Sequence, residues 1–306
     1  MKIIDKLLLI KKEKDLTQEK LGQFFGVSFA TINSWLNNRS TPRFKKEQLI
    51  DEIYKKVTGQ TQIPQNLLIA KKHLLIKKSR NFNIVKKIKN RQDIYDQFIL
   101  SLTYHTNSLE GSTLTQDDTA AILFDNISLP NKSLTDQLEA KNHQTALEFL
   151  FSEIKPNLII SEQYILKLHS ILMNSIRSDA GVYRNHGVRI VGANVPTANY
   201  LKIPYLMEEL IKEINRNEKD IVEHTTRIHS RFEQIHPFSD GNGRIGRLII
   251  QTMLLRKNLP PAIIHQKDKR LYNKYLNKSQ TETDNSLLQE FLCDAIMAGF
   301  KLLTTK

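Results

Sequence analysis

"RIHSRFEQIHPFSDGNGRIGRLIIQTMLL", residues 227–255, consists of two helical patterns separated by a polar turn. On the amino-terminal side Ile228, Phe232 and Ile235 recur at i, i+4 and i+7, which is the spacing of one buried helix face. On the far side Leu248, Ile249, Thr252 and Leu255 form a second such face. Between them Ser239, Asp240, Gly241, Asn242 and Gly243 are turn formers. The stretch therefore predicts a helix, a loop and a second helix that opens near Arg244.

A helix start exposes unpaired backbone N–H groups at the positive end of its dipole, so it attracts anions. Gly241 and Gly243 let a phosphate come close to those groups, and Arg244 and Arg247, three residues apart, lie on one side of the first turn. His236 is positioned to take up a proton, and Asp240 offers a hard oxygen for Mg²⁺. Taken singly, the histidine reads as a helix cap, the aspartate as a turn former and the arginines as a solvated face. As a set they point to phosphoryl or nucleotidyl transfer.

Working outward, the chain from about 92 on repeats helical spacing in "QDIYDQFILSLTY", "TALEFLFSEI" and "SEQYILKLHSILMNSI". The exception is "GVYRNHGVRIVGANVP", 181–196, whose glycines and alternating Val188 and Ile190 predict a short β-hairpin or extended flap. The expected fold class is all-α: a small helix-turn-helix domain, then a helical body carrying that flap.

The net charge of +13 is unevenly placed. Residues 1–57 carry twelve Lys/Arg against seven Asp/Glu, 58–91 carry nine against none, and the remainder carries 24 against 25. In "LTQEKLGQFFGVSFATINSWLNNRSTPR", 16–43, Thr17 caps a helix with Leu21, Phe24 and Phe25 inward, Gly26 ends it, and Ser28 caps the next, with Ile32, Trp35 and Leu36 buried. We expect domains at 1–57 and 92–306, joined by a basic connecting segment at 58–91, where amphipathic helix or strand remains open. Cys293 is the single cysteine and reads as a buried thiol. No apolar run reaches the roughly 20 residues of a membrane span, and Asp5 and Lys6 interrupt the apolar start, so a cytoplasmic protein without membrane contact is expected. His224, His229 and His236 do not share one helical face, which argues against a histidine metal site; His143 and His169 read as packing or local hydrogen-bond residues.

Two resemblances extend these readings. Residues 16–43 resemble the helix-turn-helix of Cro/repressor-type domains, which implies DNA as a partner: Gln18 on a phosphate, Ser28, Phe29, Ala30, Asn33 and Ser34 towards the major groove, Arg39 and Arg43 along the backbone. "HPFSDGNGRIGR" resembles the Fic motif of the Fic/Doc family, His-x-Phe-x-Asp/Glu-Gly-Asn-x-Arg, and the likeness continues from about 100 to 300 through "EAKNHQTALEFL" and "GVYRNHGVRIVG". That resemblance implies transfer of AMP from ATP to a Tyr, Thr or Ser hydroxyl of a target protein. His236 would be the base, Asp240 the Mg²⁺ ligand, Gly241, Asn242, Gly243 and Arg244 the anion hole, and Arg247 the γ-phosphate contact, with Phe238 a buried anchor. The flap from Val188 through Ile190 to Gly192 would pair with the target's main chain, and Tyr272, Tyr275 and Leu276 would lie beside adenine, where the family's usual asparagine is replaced by Gln280.

"TNSLEG", 106–111, resembles the family's inhibitory motif Ser/Thr-x-x-x-Glu-Gly, with Thr106, Glu110 and Gly111 at its defining places. Glu110 paired with Arg247 would occupy the cation meant for γ-phosphate. In relatives with this glutamate the same site also removes AMP. Other readings stay open: transfer of UMP or phosphocholine, a Doc-like kinase (which carries lysine where this chain has Gly243), a DNA-binding regulator whose body senses nucleotide or partner state, and homo-oligomerisation.

Overall fold

The computed structural model describes residues 3–58, 63, 65–189, 195–282 and 284–304, and among these there is no β-strand. The chain separates into two compact units, Met1–Ile63 with Arg270–Tyr275, and Pro64–Lys269 with Leu276–Lys306.

The first unit contains α1 (Ile3–Glu13), α2 (Gln18–Phe25), α3 (Phe29–Leu36) and α4 (Phe44–Thr58) around Leu7, Ile10, Leu21, Phe25, Ile32, Trp35, Ile50 and Tyr54. Thr17 and Ser28 cap as expected: their hydroxyl oxygens accept the Lys20 and Thr31 N–H groups at 3.2 Å, which satisfies a donor that a helix start leaves unpaired. Gly26 takes φ 61°, a left-handed turn that glycine enters without steric cost. Phe24, expected inward, is 42% exposed; Phe25 stands one helical turn from Leu21 and takes the core position, while Phe24 lies edge-on to it with the Lys14 ammonium 5.3 Å from its ring. Arg270 pairs with Glu13, and Tyr275 Oη donates to the Lys55 carbonyl at 3.2 Å.

The second unit comprises α5 (Gln65–Ser79), α6 (Ile84–Asn90), α7 (Gln92–Glu110), α8 (Gln116–Phe124), α9 (Leu134–Glu153), α10 (Glu162–Leu172), α11 (Ile203–Ile214), α12 (Ile221–Ile235), α13 (Asn242–Arg256), most of the remainder of α14 (Lys269–Thr281), and α15 (Ser286–Thr304). Helix α13 lies at its centre, packed by α7, α9, α10 and α12, with almost every residue buried. Its apolar residues run nearly all round rather than along one stripe, as a central helix requires.

Residues 58–91 differ from the expected connecting segment. Helices α5 and α6 are built into the second unit, burying Leu68, Leu75, Ile84 and Ile88, while Lys71 pairs with Asp294 and Lys72 with Asp220, each at 2.5 Å. Asn258, in a left-handed conformation at φ 56°, accepts the Ile84 N–H at 3.0 Å and donates to the Ser79 and Phe82 carbonyls at 3.2 and 2.8 Å.

The hairpin is also not seen among the described residues: 181–189 and 195–196 are turns and irregular chain, while Ile190 and Gly192 fall in 190–194, outside the described residues. Carbonyls that a ladder would use are taken by side chains, Val188 O by the Thr197 hydroxyl at 2.8 Å and His186 O by Arg184 at 2.6 Å. No helix among the described residues is long and apolar enough to cross a membrane. Replacing Asn258 by alanine removes all three bonds of the α5–α6 corner and should cost about 1–3 kcal/mol, read as a lower midpoint in denaturant unfolding; an unchanged midpoint would show that the corner contributes nothing net.

Candidate active site

Helix α12 ends at His236, whose backbone turns left-handed at φ 52° and directs the chain into the loop. That conformation disfavours a residue with a side chain, and the surroundings hold it. Arg184, only 4% exposed, donates from Nε to the His236 carbonyl at 2.7 Å and from Nη2 to the Ala198 carbonyl at 2.7 Å, while its own N–H bonds Pro237 O at 3.0 Å. The loop closes on Asn242: its Oδ1 accepts the Phe238 N–H at 2.9 Å and its Nδ2 donates to the Phe238 carbonyl at 2.8 Å. Gly241, at φ 77°, makes the final turn into α13.

Phe238 is fully buried, as expected of an anchor, and stacks on His169 with ring centroids 3.7 Å apart and planes 6° from parallel. His169 both packs and makes hydrogen bonds, as the sequence reading allowed. Its Nδ1 accepts the Gly181 N–H at 2.8 Å, so its Nε2–H donates to the Asp240 carbonyl at 3.1 Å. Burial pushes its pKa down to about 4, which keeps the ring in that neutral donor-acceptor form.

His236 Nδ1 donates to the Glu233 carbonyl at 3.2 Å, and Nε2 is thereby the nitrogen with a lone pair. Burial first, opposed by that bond, lowers its pKa, so the ring is neutral at pH 7. The Asp240 side chain is 54% exposed, with Oδ1 accepting the Gly241 N–H at 2.6 Å and lying 3.8 Å from Arg244 Nη2. An exposed carboxylate beside a helix start suits one-point binding of a hydrated divalent cation that also takes phosphate oxygens. Arg244 is 2% exposed; Glu139 Oε1 lies 2.6 Å from its Nη1, yet the Nε and Nη1 donors have no aligned hydrogen-bond acceptor among the described residues. Burial pushes the Glu139 pKa up even beside this arginine. A buried guanidinium with unused donors is the feature that an anion would complete.

Arg247 bonds the Thr106 hydroxyl through Nε and Glu110 Oε1 through Nη2. Burial works against a charge on Glu110, but the Arg247 guanidinium outweighs it and holds the carboxyl below its usual range. Glu110 is the last residue of α7, and Gly111, at φ 112°, caps that helix by donating to the Asn107 and Ser108 carbonyls. A Cβ on Gly243 would collide with Glu110 Oε1, so a side chain there would displace the carboxylate from its present position. The site thus brings His236, Asp240, Gly241, Asn242, Gly243, Arg244, Arg247, Thr106 and Glu110 together.

Tyr272 and Tyr275 are 3% and 1% exposed within the first unit, and Gln280 donates to the Ser230 carbonyl at 3.3 Å. In the first unit Gln18 bonds Asn33 at 3.1 Å, Ser34 bonds Ser40 at 2.7 Å, and Ser28, Phe29, Arg39 and Arg43 are exposed. Sequence reading passed over Glu139, Arg184 and Glu233. They matter through partners distant in the chain or through burial, which no local pattern marks.

Residues 159–254 match the family model described as Fic/DOC family. The chain is 29% identical over 255 residues to the protein adenylyltransferase Fic of Nematostella vectensis, covering 79% of this chain and 53% of that protein. It is 28% identical over 208 residues to the protein of that name from Drosophila mojavensis, covering 67% and 40%. The chain therefore spans about half the length, or less, of these curated relatives. Among solved structures, a Fic domain containing signaling protein from Bacteroides thetaiotaomicron is 26% identical with a TM-score of 0.64, covering 74% of this chain and 97% of that one. A Fic-1 fragment from C. elegans, 20% identical, covers 86% and 77% at a TM-score of 0.64 and has the same fold. The loop after α12 and nearly all of α13 lie within the residues that match the Fic/DOC family model, and the fold is similar to that of the solved Fic domain containing protein.

Proposed function

We propose that this chain transfers AMP from ATP to a Tyr, Thr or Ser hydroxyl of a target protein or of itself, and that Glu110 restrains the reaction. The observation that carries the reading is Arg244, buried at the start of α13 and paired with Glu139, with its Nε lacking an aligned acceptor among the described residues. At the end of α12 stands a neutral histidine, His236, whose Nε2 is the accepting nitrogen. The Nematostella and Drosophila relatives, named protein adenylyltransferases, support the same activity.

In this reading the target hydroxyl gives its proton to His236 Nε2 and its oxygen attacks the α-phosphorus, with pyrophosphate leaving. The N–H groups at Gly241, Asn242 and Gly243, with Arg244, receive the charge that builds on the phosphate oxygens. Mg²⁺ held by Asp240 would neutralise phosphate charge when bound. Arg247 takes the γ-phosphate only when released by Glu110, since one guanidinium edge cannot serve both. The segment from Val188 towards Gly192 pairs with target main chain. Removal of AMP by the same groups, with Glu110 aligning a water that attacks the phosphorus and releases AMP and the free hydroxyl, is a second, hydrolytic reaction within this proposal.

A second reading concerns residues 1–57. Two capped helices meeting at Gly26, with Phe29, Arg39 and Arg43 exposed on and after α3, support DNA as its partner and a cytoplasmic setting for both activities.

With α-labelled ATP, Glu110→Gly should raise label transfer about tenfold or more, whereas His236→Ala should lower it by about 10²–10⁴-fold. Intact mass distinguishes added AMP from added phosphate, and label carried only by γ-labelled ATP would overturn the AMP reading. For the amino-terminal unit, replacing both Arg39 and Arg43 with alanine should weaken duplex DNA binding across sequences and make the log–log salt slope shallower by about one for each phosphate no longer neutralised. A wild-type chain that binds no duplex at low salt would remove the DNA proposal.

A further inference from the structure

We infer that Glu233 is a positioning residue for the His236 base: its carboxyl, lodged one helical turn before His236 in space that Gly246 keeps open, steadies the imidazolium that forms as the ring takes up a proton. The inference rests on the proton-accepting role proposed above for His236.

Glu233 is 6% exposed, and its Oε1 has no hydrogen-bond partner among the described residues. A core position needing only bulk would be filled more favourably by an apolar side chain, because an unsatisfied buried carboxyl loses its hydration without compensation. Helix α13 nevertheless makes room for it: a Cβ on Gly246 would stand 2.5 Å from Glu233 Oε1. The other carboxyl oxygen, Oε2, is 4.0 Å from His236 Nδ1. That nitrogen carries the N–H that faces the ring's own helix, and it becomes part of a cation once Nε2 is protonated.

The charged and titratable groups around the carboxyl come from three helices. His229 and His236 lie on or at the end of α12, Arg247 on α13 and Glu110 on α7, while Arg184 and Asp240 act on His236 itself. Burial pushes the Glu233 pKa up to about 8, Arg247 opposing and Glu110 assisting. The carboxyl is thus protonated in the resting site and ionises as pH rises through 7–9. In the transfer step the hydroxyl proton ends on His236 Nε2, and Glu233 neither gains nor loses a proton. Its charge alone changes how well the imidazolium is tolerated.

The test uses the full chain in the Glu110→Gly background. Glu233→Gln, which keeps shape and removes the ionisation, should lower kcat about tenfold at the alkaline end of the profile, where Glu233 is ionised, with the KM for ATP unchanged. It should also abolish the rise in kcat/KM with increasing pH that ionisation of Glu233 should give the parent; Glu233→Asp, still ionisable, should keep that rise. Independently of turnover, and with Glu110 in place, the His236 ring ¹⁵N shift should show a second inflection near pH 8 in the wild-type chain and in Glu233→Asp but not in Glu233→Gln. A wild-type chain without that inflection overturns the inference, as do superimposable rate profiles of parent and Glu233→Gln. If the parent transfers no AMP at all, the proposed activity fails, and the ¹⁵N titration still decides the Glu233 question.

Discussion

The carboxamide of Asn242 bonds both the N–H and the carbonyl of Phe238, and the rest of the site depends on the ring of chain this closes. Each bond is worth only about 1 kcal/mol net, but both are buried, so breaking one strands a polar group without water. Because Asn242 is also the first residue of α13, the same contact sets where the helix starts and where its free N–H groups point. His169 holds the loop from the Asp240 carbonyl and Arg184 holds it from the His236 carbonyl. The loop is short, polar and rigid because its backbone groups are taken by side chains, and this rigidity is what preorganised charge stabilisation requires.

On this frame sits an unusual density of buried charge. Arg244 and Arg247 are nearly inaccessible, with the carboxylate of Glu139 and the protonated carboxyl of Glu233 close to them and Glu110, its side chain 37% exposed, reaching in from the edge. In a low-dielectric interior each of these groups is costly alone and tolerable only as part of a set. Arg247 finds its balance in Glu110; Arg244 is balanced by Glu139 but keeps donors unused. An anion arriving at α13 therefore meets one cation that is available and one that is already occupied. The absence of a side chain at Gly243 is what lets the occupying carboxylate reach so far.

The body exists to hold α13. Helices α7, α9, α10 and α12 surround it, so that a residue on any of them can reach the loop or its arginines: Glu110 from α7, Glu139 from α9, His169 from α10 and Glu233 from α12. The basic stretch before α7 belongs to this body through Leu68, Leu75, Ile84 and Ile88, its lysines paired with Asp220 and Asp294 or left in solvent. Its charge therefore reflects the outward faces of two structural helices at least as much as any partner.

The helix-loop-helix at 227–255, the caps at Thr17 and Ser28, the turn at Gly26 and the set of His236, Asp240, Arg244 and Arg247 were legible in the residues themselves, because periodicity, capping and glycine turns are local chemistry. The pairing of Glu110 with Arg247, 137 positions apart, could be expected only through resemblance to a family, and only the folded chain brings the two side chains together. Glu139 under Arg244, Arg184 on the loop carbonyls and Glu233 beneath His236 had no signature. Likewise Phe24 and the α5–α6 segment took places that periodicity alone did not assign. Burial decides these cases: whether a charged side chain is solvated or forced to find a partner depends on what packs over it, and that is a property of the tertiary structure and not of any short stretch of sequence.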